Sequence, residues 1–311
     1  MPTLTTATPA VVSPGKPLGL AATERSRVPV GSMLSMYDPI PIGMDEFQVR
    51  ADLPLAYRNL IAAGVPDSGK SGLIQNIGCY SLLCDRTHLV LLDGKQVELG
   101  LFRDALGDDD LFIGPDLEQA IRVMQRLQRL MNNRSDWLLA RRRRKFTRTD
   151  PVDTYCVIID EVAFFSATIG TREQRQTFID LLRDLVARGR ALGLIVIAAT
   201  QRPSIDIIPK SLRDLFAYRA AFRCMSEGSS DIILGDNLAA QGYDATDIPM
   251  STPGVCWLLA ENGVTPRKIK AAYLTDDQII HIVDFAAWTR RTGRADHRAQ
   301  ATAASPFLNA A

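Results

Sequence analysis

One octapeptide, Gly64-Val65-Pro66-Asp67-Ser68-Gly69-Lys70-Ser71, constrains this chain more than any other segment. It matches GxxxxGK[ST], follows the apolar run Asn59-Leu60-Ile61-Ala62-Ala63 and precedes a helical stripe of Leu73, Ile74 and Ile77. Strand, glycine turn and helix in that order make a phosphate cradle. The glycines let backbone N–H groups close around an anion, and the helix N-terminus turns its positive end toward it. In such a loop Gly64 to Ser71 hold the phosphates, Lys70 neutralises the β- and γ-phosphates, and the Ser71 hydroxyl ligates Mg2+. Asp67 is the odd member, because a carboxylate inside an anion cradle weakens binding unless it points out to solvent.

A second segment supplies acids. Tyr155-Cys156-Val157-Ile158-Ile159-Asp160-Glu161 is an apolar strand ending in two carboxylates. Beside a phosphate cradle, Asp160 is expected in the Mg2+ shell and Glu161 at the attacking water. The adjacent glutamate points to an ATPase of the additional-strand class rather than a GTPase, and no base-reading NKxD motif is present. ATP and Mg2+ are therefore the expected cofactors. Downstream, Thr200-Gln201-Arg202-Pro203 ends another apolar run, and Gln201 is expected to feel the γ-phosphate, since parallel sheets bind ligands at the carboxyl ends of their strands.

Short β-type runs at 59–63, 88–92, 155–159, 194–199, 218–222, 254–259 and 268–273 alternate with helical patterns, which is the sign of parallel strands joined by crossover helices. Several runs are apolar on both faces, as strands covered by helices on each side must be. Helical stripes stand at Leu117, Ile121, Met124, Leu127 and Met131, and at Phe178, Leu181, Leu182, Leu185 and Val186. The second opens with a capping box, Thr171 to Gln174. A third helix opens likewise at Thr275 to Gln278 and carries Ile279, Ile282, Val283 and Phe285. The expected fold is α/β: a RecA-like P-loop ATPase of the additional-strand (ASCE) class, with a mostly parallel sheet flanked by helices. Residues 1–35 and 291–311, rich in Ala, Thr, Pro and Ser, read as a disordered leader and a flexible tail around one motor domain over 36–290.

Composition narrows the partners. With 36 basic and 35 acidic side chains the chain is no generally basic nucleic-acid binder, although a local basic patch remains open. Five cysteines without a CxxC pair read as free core thiols, and structural zinc is not expected. The apolar run from Ala191 to Thr200 is far shorter than the roughly 20 residues that span a bilayer, so the expected location is cytoplasmic. Arg141-Arg142-Arg143-Arg144-Lys145 is the one dense basic run, either a solvated face or a contact for phosphate or anionic lipid. Trp137 nearby reads as a core or interface aromatic in preference to a base-stacking one. His88, His281 and His297 are scattered and suggest no site.

From about Ile42 to Phe285 the chain resembles the motor domain of the FtsK/SpoIIIE family of hexameric double-stranded DNA translocases. The resemblance is carried by VRADL at 49–53, the phosphate loop, LLDGKQVEL at 91–99, VIIDEVAFF at 157–165, ARGRALGLIVIAATQRPSIDII at 187–208 and YRAAF at 218–222. The TQRPS segment is the most specific of these. The short Ala- and Arg-rich chain further resembles the FtsK-like transfer proteins of actinomycete conjugative plasmids and integrating elements, the TraB and TraSA class, which move duplex DNA between mycelia. The resemblance implies a homo-oligomeric ring, expected to be a hexamer, with duplex DNA as partner. It also implies other transfer proteins at the membrane and a peripheral attachment there. It places catalysis on Lys70, Asp160, Glu161 and Gln201, an arginine finger at Arg190, and DNA contacts at Arg202 and Arg213, with Arg141, Arg142, Arg143 and Arg144 as further contacts. Two departures stand out: Glu227 and Asp231 occupy positions that are basic in the family, and its glycine-aspartate turn reads Thr252-Pro253-Gly254. The competing reading is a nucleotide-switched coupling or docking protein without pumping activity of its own.

Overall fold

Residues buried on both sides make the centre of this molecule a sheet. The computed structural model describes residues 34–107, 110–261, 263 and 265–289; the expected leader, apart from Leu34 and Ser35, and the expected tail over 291–311 lie outside them. Ten strands form the sheet: β1 (Ile40–Asp45), β2 (Arg50–Leu53), β3 (Leu60–Ala63), β4 (Thr87–Leu92), β5 (Leu111–Ile113), β6 (Thr154–Ile159), β7 (Leu194–Thr200), β8 (Tyr218–Phe222), β9 (Val255–Ala260) and β10 (Arg267–Ala271). Their order across it is β2-β1-β10-β9-β8-β3-β7-β6-β4-β5.

Every residue of β3, β4, β6 and β7 is buried. Successive side chains enter opposite cores: Ile61, Val90, Val157 and Val196 on one face, Leu60, Leu89, Cys156 and Ile195 on the other. The first core is roofed by α2 (Leu117–Ala140) and α3 (Arg172–Gly189), the second by α1 (Lys70–Leu83) and a C-terminal helix over 276–289. Two shorter helices, α4 (Lys210–Arg213) and α5 (Glu227–Leu234), lie between β7 and β9 in the chain. Both expected capping boxes form. Thr171 Oγ1 accepts from the Gln174 N–H at 3.2 Å, and Thr275 Oγ1 from the Gln278 N–H at 3.3 Å. All five cysteines are buried and free.

The sheet is mostly parallel, as expected, with an antiparallel flank. Strands β8, β3, β7, β6, β4 and β5 are parallel, but β9 runs antiparallel to β8, and β10, β1 and β2 continue antiparallel to the edge. An apolar run marks a strand without marking its direction. β1, β2 and β5 were not among the expected strands; β5 has three residues, and β1 and β2 have exposed residues. The last helix also differs, since Ile279, Val283 and Ala286 are buried whereas Phe285 is exposed, beside Trp288 at a ring separation of 6.0 Å.

A guanidinium lies wholly inside. Arg134 of α2 is buried and donates to the carbonyls of Leu192, at 2.7 Å, and Asp153, at 2.8 Å. It ties α2 to the turn after α3 and to the entry of β6. Burial lowers its pKa to about 10, which still leaves the guanidinium charged at neutral pH.

Candidate active site

The carboxyl ends of the parallel strands converge. Beyond β3, β4 and β6 the ladder extends by one or two bonds: the Gly64 N–H to Thr200 O (3.3 Å), Val65 to Arg223 O (2.9 Å), Asp93 to Ile113 O (2.9 Å) and Asp160 to Leu92 O (3.0 Å). These bonds hold the loops carrying the expected site residues in register. β7 stands between β3, which feeds the phosphate loop, and β6, which feeds Asp160. This insertion is the additional strand that the Asp160-Glu161 pair implied.

Four helices are closed by their own side chains at the N-terminus: α2 by Asp116, α3 by Thr171, α5 by Ser226 and the last helix by Thr275. α1 is not. Its cap is Gly69, with φ +91°, no side chain bonds its first N–H groups, and its first turn holds no acid. Those orphan donors and the positive helix end are left for an anion. The glycine is required, because a Cβ there would stand 2.1 Å from the Gly254 nitrogen. Gly254 itself has φ +87° and donates its N–H to Ser68 O at 2.8 Å, so the Thr252-Pro253-Gly254 turn buttresses the cradle from outside. Asp67 is exposed and adopts a left-handed backbone, φ +60°.

Lys70 and Asp160 are buried together. The Lys70 ammonium stands 3.6 Å from Asp160 Oδ1 and 3.5 Å from the Asp160 carbonyl. Both Asp160 carboxylate oxygens and the Ser68 hydroxyl are buried without a hydrogen-bond partner. Burial raises the Asp160 pKa and Lys70 lowers it, while Asp93, Glu98 and Glu161 raise it further. A buried carboxylate with unspent lone pairs, crowded by other acids and paired with the residue before Ser71, offers hard oxygen donors of the kind that fits Mg2+. Asp93 is spent on its own loop, accepting from the backbone N–H groups of Lys95, Gln96 and Leu99.

Glu161 is held by three donors. Oε1 accepts from the Thr200 hydroxyl at 2.6 Å and the Ala163 N–H at 3.2 Å, and Oε2 from the Gln201 N–H at 2.9 Å. Gln201 thus meets Glu161 through its backbone. Thr200 and Gly254 were not singled out for these roles; their bonds join segments far apart in the chain.

The arginines divide. Arg190, at the end of α3, pairs with Glu261 at 2.7 Å. Arg202 is exposed. Arg213 is buried, and its guanidinium is engaged by Asp214 at 2.8 Å, Asp236 at 3.2 Å and the Asp231 carbonyl at 3.2 Å. It braces α4 against α5 and presents no free charge to a phosphate. Within the basic run Arg143 forks onto both carboxylate oxygens of Asp150 at 2.5 and 2.6 Å, and Arg141 lies 3.9 Å over the Trp137 ring. Trp137 also stacks on Phe146 at 5.2 Å. Arg142 and Arg144 are exposed, so the run is part scaffold and part surface. Of the departures from the family pattern, Asp231 receives the N–H groups of Asn237 and Ala239, and Glu227 opens the first turn of α5. Among the described residues no cluster of His, Cys, Asp and Glu could hold a metal by itself, and no helix is long and apolar enough to cross a membrane.

Comparison with known proteins follows the same lines. The profile of the FtsK/SpoIIIE family matches residues 23–232. The chain is 28% identical over 264 residues to the DNA translocase FtsK of Treponema pallidum (strain Nichols), covering 79% of this chain and 31% of that protein. It is 29% identical over 241 residues to the DNA translocase FtsK of Helicobacter pylori (strain J99), covering 73% and 27%. The chain therefore spans about a third of the length of the curated relatives it matches. Among solved structures, the pCW3 conjugation coupling protein TcpA with ATPγS aligns at a TM-score of 0.65 and 20% identity, over 78% of this chain and 69% of that one. The Type VII secretion ATPase EccC of Thermomonospora curvata aligns at 0.63 and 21%, over 81% and 31%. At such identities the likeness is one of fold.

Proposed function

This chain belongs to the FtsK/SpoIIIE family, and from that premise we propose that it hydrolyses ATP to drive duplex DNA through a ring of its own copies. The observation that carries the reading is the uncapped N-terminus of α1 facing a buried Lys70–Asp160 pair with unspent carboxylate oxygens. The α1 N–H groups and Lys70 bind the phosphates. Ser71 and Asp160 would hold Mg2+, which neutralises charge on the transferred phosphoryl group.

Glu161 is the general base. Each carboxylate oxygen can accept two hydrogen bonds; Oε1 already accepts two and Oε2 one. The proton of the attacking water therefore goes to Oε2. Because the Gln201 N–H bonds that same oxygen, a change at the end of β7 when the γ-phosphate leaves reaches the base directly. Arg190 serves the nucleotide of a neighbouring copy once it releases Glu261. Arg202, Arg141, Arg142 and Arg144 are the candidates for DNA phosphates.

The finer reading is transfer of a plasmid or integrating element between cells, in the manner of the TraB and TraSA class, with the ring cytoplasmic and peripheral at the membrane. It draws on the Ala- and Arg-rich character of the chain. The deciding experiment is ATP turnover by the purified protein with and without duplex DNA. Stimulation by DNA is expected. Nucleotide binding without turnover in either condition would favour the coupling or docking role instead.

A further inference from the structure

A chain of backbone bonds leads from the phosphate cradle to an unexplained aromatic. Ser68 O accepts from the Gly254 N–H at 2.8 Å, Gly254 O from the Ala271 N–H at 2.8 Å, and the next residue, Ala272, donates to Ile42 O at 2.7 Å. Tyr273 follows at once. It is 76% exposed, although the residues before it are fixed, and its ring carbon Cδ2 comes within 3.9 Å of the place a Cβ would take on Gly72. Gly72 is the third residue of α1, next to Ser71 and past the lysine that reaches the β- and γ-phosphates, so it lies toward the α-phosphate end from which a nucleotide's sugar and base extend. The strand before Tyr273 also brings a cation: Lys270 is exposed, and its Cε lies 4.0 Å from the Cβ position of Gly254.

A large ring left in water, following a backbone held by hydrogen bonds and set beside the first turn of α1 with its orphan N–H groups, is placed to meet whatever flat group a phosphate ligand carries. We infer that Tyr273 is the nucleobase platform of this site: the adenine of ATP stacks on its ring, with Lys270 flanking the phosphate side. The assignment rests on the reading of the cradle as an ATP site and adds the residue that grips the base. Stacking offers a π-face to any base and reads no hydrogen-bond edge, so Tyr273 strengthens binding without selecting adenine over guanine.

The test compares ATP with inorganic tripolyphosphate, each with Mg2+, on the whole protein by calorimetry. Tyr273→Ala is expected to weaken ATP about 5- to 150-fold, the range seen when base-stacking aromatics are truncated, and to leave tripolyphosphate unchanged. Tyr273→Phe should keep ATP affinity. Tyr273→Trp should report the base as a change in indole fluorescence with ATP that tripolyphosphate does not produce. Unchanged ATP affinity in Tyr273→Ala overturns the assignment. So does a parallel loss of ATP and tripolyphosphate, which would make Tyr273 a support of the loop. Wild-type protein that binds neither ligand overturns the reading of the cradle beneath it.

Discussion

Lys70 at the head of α1 and Glu161 just past β6 are both buried, but their surroundings ask different things of them. Lys70 faces a carboxylate with nothing else to satisfy it, so Lys70→Ala leaves Asp160 as an unpaired buried charge and removes the cation from the phosphates. That variant should lose ATP binding and turnover together. Glu161→Gln keeps shape but presents an amide where the structure offers donors, from Thr200 and Ala163 on one side and Gln201 on the other. It should retain ATP, lower turnover by about 10²- to 10⁴-fold as general bases do, and lose a little stability. Binding by calorimetry set against steady-state turnover separates the two; normal turnover in Glu161→Gln would remove it from the role of base.

At the scale of elements, the loop after α2 is held by a carboxylate, and this gives the fold an acid-sensitive joint. The Arg143 fork and the Thr147 N–H and hydroxyl bring the Asp150 pKa down from 3.8 to about 2. A group whose pKa is lower in the folded state contributes stability that is complete above its unfolded value and lost as pH falls through the folded one. Against Asp150→Asn, wild type should therefore be more stable by on the order of 1–2 kcal/mol at pH 7, after allowance for the partly exposed Arg143, with the gap closing between about pH 4 and pH 2. Denaturant melts of the two proteins across that range measure it, and a gap independent of pH would show that the joint bears no load. The parallel core was readable because a strand covered on both faces must be apolar throughout, as β4 and β6 are. So were Lys70 and Asp160, whose spacing from strand and helix is dictated by the phosphates. β1 and β2 were not, since strands with exposed residues, such as Pro41 in β1 and Arg50 and Asp52 in β2, resemble loops. Nor were the Thr200–Glu161 and Gly254–Ser68 bonds, which the sheet order creates and no local pattern encodes.

On the scale of the whole molecule, the expected finger is within reach of solvent. Arg190 is partly exposed, and its guanidinium pairs with Glu261. If it serves a neighbour's ATP, then Lys70→Ala subunits, which carry Arg190, and Arg190→Ala subunits, which carry an intact cradle, should each be inactive and together regain part of the DNA-stimulated turnover. Trans fingers are worth about 10³ to 10⁵ in rate, so even partial recovery is measurable. Mixed assembly without recovery, or normal turnover by Arg190→Ala alone, would place the role elsewhere.

The Gly254 buttress has a consequence for how the molecule is made. Synthesis delivers β1 and the phosphate loop early, but Gly43 of β1 pairs with Ala271 of β10, and Ser68 waits for Gly254. Contacts so distant along the chain form late, because a long loop must close before they repay its entropy. A nascent chain would thus carry the cradle's residues well before it has a cradle. If the cradle is the ATP site proposed above, ATP would stabilise completed molecules by mass action and leave unfinished ones to the fate of unfolded chains.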